Sequence, residues 1–188
     1  MKSSGVDDFY GTYYWATIVG YNHILAKNLG EYDNSVDKVY SSSGPKWKDY
    51  DKWHFYTMDG EDVRSEISHE QQCIAKDYLL YATKSYFKWK EYANILGVNN
   101  SFTQMQYNDY LSNVYLGIKH LGYSLHPIQD YYAHVRNVCF QFWKGRWAHL
   151  PGNVDDASQH TYAVLGSTAS KTLEILLTFY NEYYILRI

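Results

Sequence analysis

Two long, nearly adjacent stretches with helical periodicity place the strongest limit on how this chain folds. In residues 61–96 and again in 101–134, apolar side chains recur three or four positions apart, and Gly97 follows the first stretch. Apolar residues at this spacing form one face of an α-helix. Both stretches are therefore predicted to be long helices, and the second begins at Ser101 or Thr103.

Shorter helical patterns flank these two stretches. A first helix is predicted over 7–29, where an aspartate caps the start and Gly30 provides a stop. Its aromatic and aliphatic face carries Tyr10, Tyr14, Ile18 and Tyr21. A last helix is predicted from Asp155 or Asp156 toward the C-terminus.

Residues 32–60 lack helical periodicity and mix aromatic with charged residues, which predicts a long irregular excursion. Convincing strand alternation occurs nowhere in the chain. The expected fold class is therefore all-α. We predict a single-domain helical bundle across 1–188, with the irregular excursion between the first and second main helices.

Composition narrows the class of function. The formal net charge of −3 argues against a general nucleic-acid-binding surface and against double-stranded nucleic acid as a partner. No stretch has the length and apolarity of a transmembrane helix, and the start lacks a signal-peptide pattern. We expect the domain to be secreted or delivered as part of a larger protein. Cys73 and Cys139 are expected to be buried free thiols, and a single disulfide between them is the alternative.

The stretch from Leu125 to His134 contains the residues best suited to chemistry. His126, Asp130 and His134 are spaced four residues apart and therefore stack along one face of a helix. Two imidazoles and a carboxylate form a good zinc ligand set. Pro127 predicts a local kink that still leaves Asp130 and His134 one turn apart. A solvated polar face is the alternative, but apolar neighbours such as Leu125 favour a metal site.

The Leu-His-x-x-x-Asp pattern that begins at Leu125, with His134 following, resembles the metal-binding helix of zinc-dependent phospholipases C and related single-strand-specific nucleases. It is most similar to bacterial phospholipase-like domains at the C-termini of large repeat-containing secreted proteins. The segment 53–60 is similar to the family's His-Phe-Tyr segment with its acidic-Gly turn. A weaker match covers 147–156.

The resemblance implies two zinc ions. The first is bound by His54, His126 and Asp130, with Asp37 as the fourth ligand. Asp37 is also the implied catalytic residue, which positions or deprotonates the attacking water.

The second implied ion is bound by His134 and His149, completed by Asp156 or, less favourably, by Asp155. The family's third metal is doubtful here, because the sequence has acidic residues and a phenylalanine where the family has a histidine in its first helix.

These features together predict a phospholipase C-like hydrolase that uses a metal-bound hydroxide on a phosphodiester. The expected partner is phospholipid or another phosphodiester, with peripheral membrane contact through the aromatic residues of 47–56. The alternatives are a single-strand nuclease and a non-catalytic, metal-stabilised toxin or binding module. Glu61, Asp62 and Arg64, which follow the His54 segment, are candidates for orienting a ligand. The alternative is that the acidic residues stabilise a helix N-terminus. His23, His69 and His120 are expected to lie outside the site.

Overall fold

The computed structural model describes residues 8–39, 50–54, 62–134, 140–143, 146–149 and 162–188. Within these residues the helices are α1 (Asp8–Val19), α2 (His23–Val39), α3 (Tyr50–His54), α4 (Arg64–Leu96), α5 (Ser101–His134) and α6 (Tyr162–Glu182). The strands are β1 (Phe140–Trp143) and β2 (Arg146–His149), which pair antiparallel with Phe140 opposite His149. A 3₁₀ turn, Tyr184–Leu186, follows α6. The predicted all-α fold is confirmed.

The helices α4 and α5 form an antiparallel hairpin along their whole length, each about 50 Å long at about 1.5 Å per residue. Near the base of this hairpin, Ser68 Oγ donates to the Ser124 carbonyl oxygen at 2.7 Å. Toward its tip, the rings of Tyr86 and Tyr110 lie 5.4 Å apart. Gly97, with a φ of 83°, ends α4 in the left-handed region that favours glycine. Both long helices were predicted correctly.

The base of the hairpin packs into the core, where α5 contacts α2 and α6, and α1 contacts both of those helices. The buried core includes Ala16, Leu25, Leu29, Leu79, Ile118, Leu121, Leu125, Leu176 and Phe179. All residues from 83 to 113 are described, and among them only Ser85 and Thr103 are buried. The distal half of the hairpin therefore contributes little to the core.

The single helix predicted over 7–29 is wrong, because Gly20 divides it into α1 and α2. Gly20 has a φ of 115°, and a Cβ at this position would lie 2.7 Å from Tyr180 Oη. The helix α2 then continues through Gly30 to Val39. Burial of Leu29 and Val36 on this helix outweighs the cost of an internal glycine, which is about 1 kcal/mol.

Residues 32–39, which were predicted to be irregular, therefore belong to α2, and the short helix α3 lies within the same predicted excursion. The predicted apolar face of the first helix is only partly buried: Tyr10, Tyr14 and Ile18 are exposed, whereas Tyr21 is buried. The buried side of α1 instead carries Thr12 and Ala16.

Two further features concern the surface. Cys73 is a free, exposed thiol rather than a buried one, and Cys139 lies outside the described residues. In the described part of the chain, no helix combines the length and apolar character required to cross a membrane.

Candidate metal centre

Three predicted ligands converge in the interior of the bundle. Asp130 Oδ2 lies 2.9 Å from His54 Nδ1 and 3.5 Å from His126 Nε2. The two histidine nitrogens are 3.0 Å apart. The exposed fraction is 2% for each histidine and 7% for the aspartate. This arrangement meets the geometric conditions for a metal-binding group.

The donor atoms of this group fit a cation better than they fit a set of hydrogen bonds. His54 Nδ1 has a single position for a proton or lone pair, yet it lies within 3.0 Å of both an imidazole nitrogen and a carboxylate oxygen. It cannot donate to Asp130 and accept from His126 at the same time. A tetrahedral zinc ion with bonds of about 2.0–2.1 Å separates adjacent ligands by about 3.3 Å. The three observed separations bracket that value, so the donor set fits such an ion.

Local folding explains how two of the ligands come together. The helix α5 runs from Ser101 to His134 and includes Pro127, so His126 and Asp130 lie one turn apart on one continuous helix. The flanking side chains Leu125 and Ile128 are buried. The alternative of a solvated polar face is therefore wrong for His126 and Asp130.

Arg64 anchors the third ligand. Its guanidinium is fully buried, donates to the His54 carbonyl oxygen at 3.2 Å, and pairs with Asp62 through bonds of 2.9 and 2.8 Å. It also lies over the Tyr131 ring, 5.4 Å from the ring centroid. Burial alone would raise the pKa of Asp62, but the hydrogen bonds and charge of Arg64 outweigh it and hold that pKa below its ordinary value. Arg64 thus links α3 and α4 to the segment that follows Asp130.

A second buried carboxylate, Asp33 of α2, approaches the opposite edge of the His126 ring. Its Oδ1 lies 3.5 Å from His126 Nδ1, and its Oδ2 accepts a hydrogen bond from the Thr12 hydroxyl. Asp33 was not among the site residues predicted from the sequence. A detectable signal existed, because Asp33 lies on the same helical face as Leu29 and Val36, and a charged residue on an apolar face is uncommon without a partner.

Several predicted site residues lie outside what the structure describes. Asp37 and His134 belong to the backbones of α2 and α5, and His149 ends β2, but their side chains are outside the described set. Asp155 and Asp156 lie outside it entirely. Asp37 is one helical turn, about 6 Å, beyond Asp33 along α2. The second ion's ligand set therefore remains a prediction.

The other histidines and one aromatic residue are described. His69 is exposed, as expected, and His23 is exposed and bonded to the Tyr13 hydroxyl at 3.0 Å. His120 is half-buried, with its Nδ1 2.8 Å from Gln71 Oε1. Trp53, from the aromatic stretch expected to contact a membrane, is only 6% exposed. This tryptophan therefore offers almost no surface to a lipid.

No family model, curated protein or solved structure matches this chain. The resemblance seen in its motifs thus stays a prediction, and the case for function depends on the site itself.

Proposed function

We propose that the chain is a zinc-dependent phosphodiester hydrolase of the phospholipase C type. The observation that carries this proposal is the convergence of His54, His126 and Asp130 within 3.5 Å of one another in the protein interior. Two neutral imidazoles and one carboxylate leave part of a zinc ion's coordination shell for water or substrate, as catalytic sites require.

The proposal assigns distinct tasks to the residues of the chain. His54, His126 and Asp130 hold the ion, and Arg64 keeps the His54 backbone in place from α4. A zinc ion bound there would supply a water of lowered pKa and would stabilise negative charge on a phosphoryl group. Asp37 would orient the attacking water or take its proton. A second zinc ion is assigned to His134, His149 and Asp156.

The preference for phospholipid over single-stranded nucleic acid comes from charge. A nuclease gains affinity from lysines and arginines that neutralise the phosphate backbone. Here the net charge is −3, and in the stretch before His54 three lysines are interspersed with two aspartates. A neutral or zwitterionic headgroup suits such a chain better than a polyanion.

The test gives zinc-loaded protein two substrates in parallel, phosphatidylcholine vesicles and a single-stranded oligonucleotide, while elemental analysis counts the bound ions. We expect release of the phosphorylated headgroup to exceed release of nucleotides. Asp37→Asn is expected to abolish turnover while leaving the helical spectrum unchanged. Faster nucleotide release would reverse the ranking of substrates.

His126→Ala and His69→Ala form a matched pair of variants. Both remove a histidine from the α4–α5 hairpin, but only His126 belongs to the buried group, since His69 is exposed. We expect the first variant to lose zinc and activity and the second to keep both. Equal zinc content in the two variants would contradict the proposed site.

The near-complete burial of the three ligands favours one second candidate, a structural metal that stabilises a non-catalytic module. In that case the wild-type protein binds zinc and unfolds more readily with a chelator, but it cleaves neither substrate.

A further inference from the structure

The two nitrogens of the His126 ring face different chemical surroundings. Nε2 points toward the other two ligands, 3.0 Å from His54 Nδ1 and 3.5 Å from Asp130 Oδ2. Nδ1 points the other way and lies 3.5 Å from Asp33 Oδ1. Asp33 is fully buried, so little solvent weakens its attraction to a proton on that nitrogen.

The hydrogen bonds around Asp33 have a defined direction. The side-chain nitrogen of Gln129 donates to Thr12 Oγ1 at 2.9 Å and to Thr172 Oγ1 at 3.3 Å. Because the Thr12 oxygen accepts this bond, its own proton is directed to Asp33 Oδ2. Asp33 is therefore an acceptor in this chain of hydrogen bonds, as an ionised carboxylate is.

This series of hydrogen bonds connects residues of four helices to Asp33, which lies beside the proposed ligand His126. Thr12 belongs to α1, Asp33 to α2, Gln129 to α5 and Thr172 to α6. Gln129 directly precedes the ligand Asp130 in sequence. The position of Asp33 beside His126 is thus fixed from several directions at once.

We infer that Asp33 is a positioning residue for the metal centre: it holds the proton of His126 on Nδ1 and thereby leaves the lone pair of Nε2 directed at the ion. A carboxylate that accepts from the outer nitrogen of a metal-bound histidine fixes the tautomer and increases the basicity of the ligand. The inference rests on the proposed function, because it requires a metal at this group.

Asp33→Asn is the variant that tests the inference. Asparagine keeps the size of the side chain and still accepts from Thr12, but it lacks the negative charge. Zinc affinity is measured by competition with a chelating dye, and apoprotein stability by thermal unfolding. We expect zinc to bind about 10- to 100-fold more weakly, the usual effect of removing such a partner.

Asp109→Asn is the matched control, because Asp109 also accepts from a buried hydroxyl, that of Ser85, in the distal half of the hairpin. We expect its zinc affinity to equal that of the wild type. If Asp33→Asn also binds zinc with wild-type affinity and only its apoprotein is less stable, Asp33 has a purely structural role and the inference is overturned.

A second measurement needs no variant and covers the case in which Asp33→Asn does not fold. The ¹⁵N chemical shifts of His126 in the zinc-loaded wild type report which ring nitrogen carries the proton. We expect protonated Nδ1 and zinc-bound Nε2, and the opposite assignment would overturn the inference.

Failure of the inference and failure of the proposed function give different results. A wild type that binds no zinc overturns both. A wild type that binds zinc but cleaves neither vesicles nor oligonucleotide overturns the hydrolase proposal, while the role of Asp33 stands or falls on the affinity and tautomer data alone.

Discussion

Adding one methyl group at Gly122 should separate α5 from α2. A Cβ at this position would lie 2.7 Å from Tyr32 Cβ and 2.9 Å from the Leu29 carbonyl oxygen. Neither atom moves with a side-chain rotation, because one is a Cβ and the other belongs to the backbone. Gly122→Ala therefore requires a shift of one helix against the other, and His126 lies one turn further along the same face of α5.

The expected magnitude combines two opposing effects. Replacing glycine by alanine within a helix stabilises it by about 0.8–1 kcal/mol. Overpacking a tight contact costs about 1–3 kcal/mol, and a contact with backbone belongs at the upper end of that range. We expect a net loss of about 2 kcal/mol, which for a chain of this size lowers Tm by about 4–8 °C.

Two other helical glycines provide controls for the same substitution. A Cβ added at Gly166 would meet no atom of the described residues within 4 Å, so Gly166→Ala should raise stability. At Gly117 the nearest atoms are Leu79 Cγ and Cδ2, at 2.7 and 2.8 Å, and a side chain yields more readily than backbone. Gly117→Ala should therefore fall between the other two variants.

Urea unfolding and zinc competition on all three variants check this reasoning. The expected order of stability is Gly166→Ala, then Gly117→Ala, then Gly122→Ala, with weakened zinc binding in the last alone. A Gly122→Ala protein as stable as Gly166→Ala would refute the argument that the close approach of α2 and α5 depends on this glycine.

Three further perturbations follow from the site and its surroundings. Arg64→Met leaves Asp62 without its buried partner and should cost about 3–5 kcal/mol in urea unfolding, and a loss below about 1 kcal/mol would contradict this. Burial, helped by the charge of Lys119, lowers the pKa of His120. Its contribution to stability should be present above about pH 6.5 and decrease as the pH falls below that value. His120→Gln should therefore reduce the acid-induced loss of stability measured in chelator. Removing zinc from the loaded protein should lower Tm, because the proposed site is assembled only in the folded chain, and an unchanged Tm would argue against the site.

The long helices were predictable because their periodicity extends over many turns and no packing effect opposes it. The start of the chain was harder, because local signals and tertiary packing disagree there. Gly30 has the chemistry of a helix stop, but burial of Leu29 and Val36 carries α2 past it. Gly20, which lies inside an otherwise helical pattern, ends α1 instead.

The residues of the candidate site also differ in how well the sequence predicts them. His126 and Asp130 could be predicted from their spacing alone, since one helical turn brings them together regardless of the rest of the fold. His54 could be predicted as a ligand only through the resemblance, because it lies on a different helix, α3. Predicting Asp33 as a site residue requires knowing which face of α2 is buried. The helix boundary predicted at Gly30 was wrong, so Asp33 was not assigned to this helix.

The α4–α5 hairpin also divides the molecule into parts that open at different free energies. Amides at its base, near Leu79 and Leu121, are enclosed by the core and should exchange with deuterium only when the whole chain unfolds. Amides between 86 and 113 belong to a two-helix segment with mostly exposed side chains, so they should exchange through local fraying from the tip. A single helix would then show a gradient of protection along its length. An ion bound near His126 would slow exchange at the base while leaving the tip unchanged.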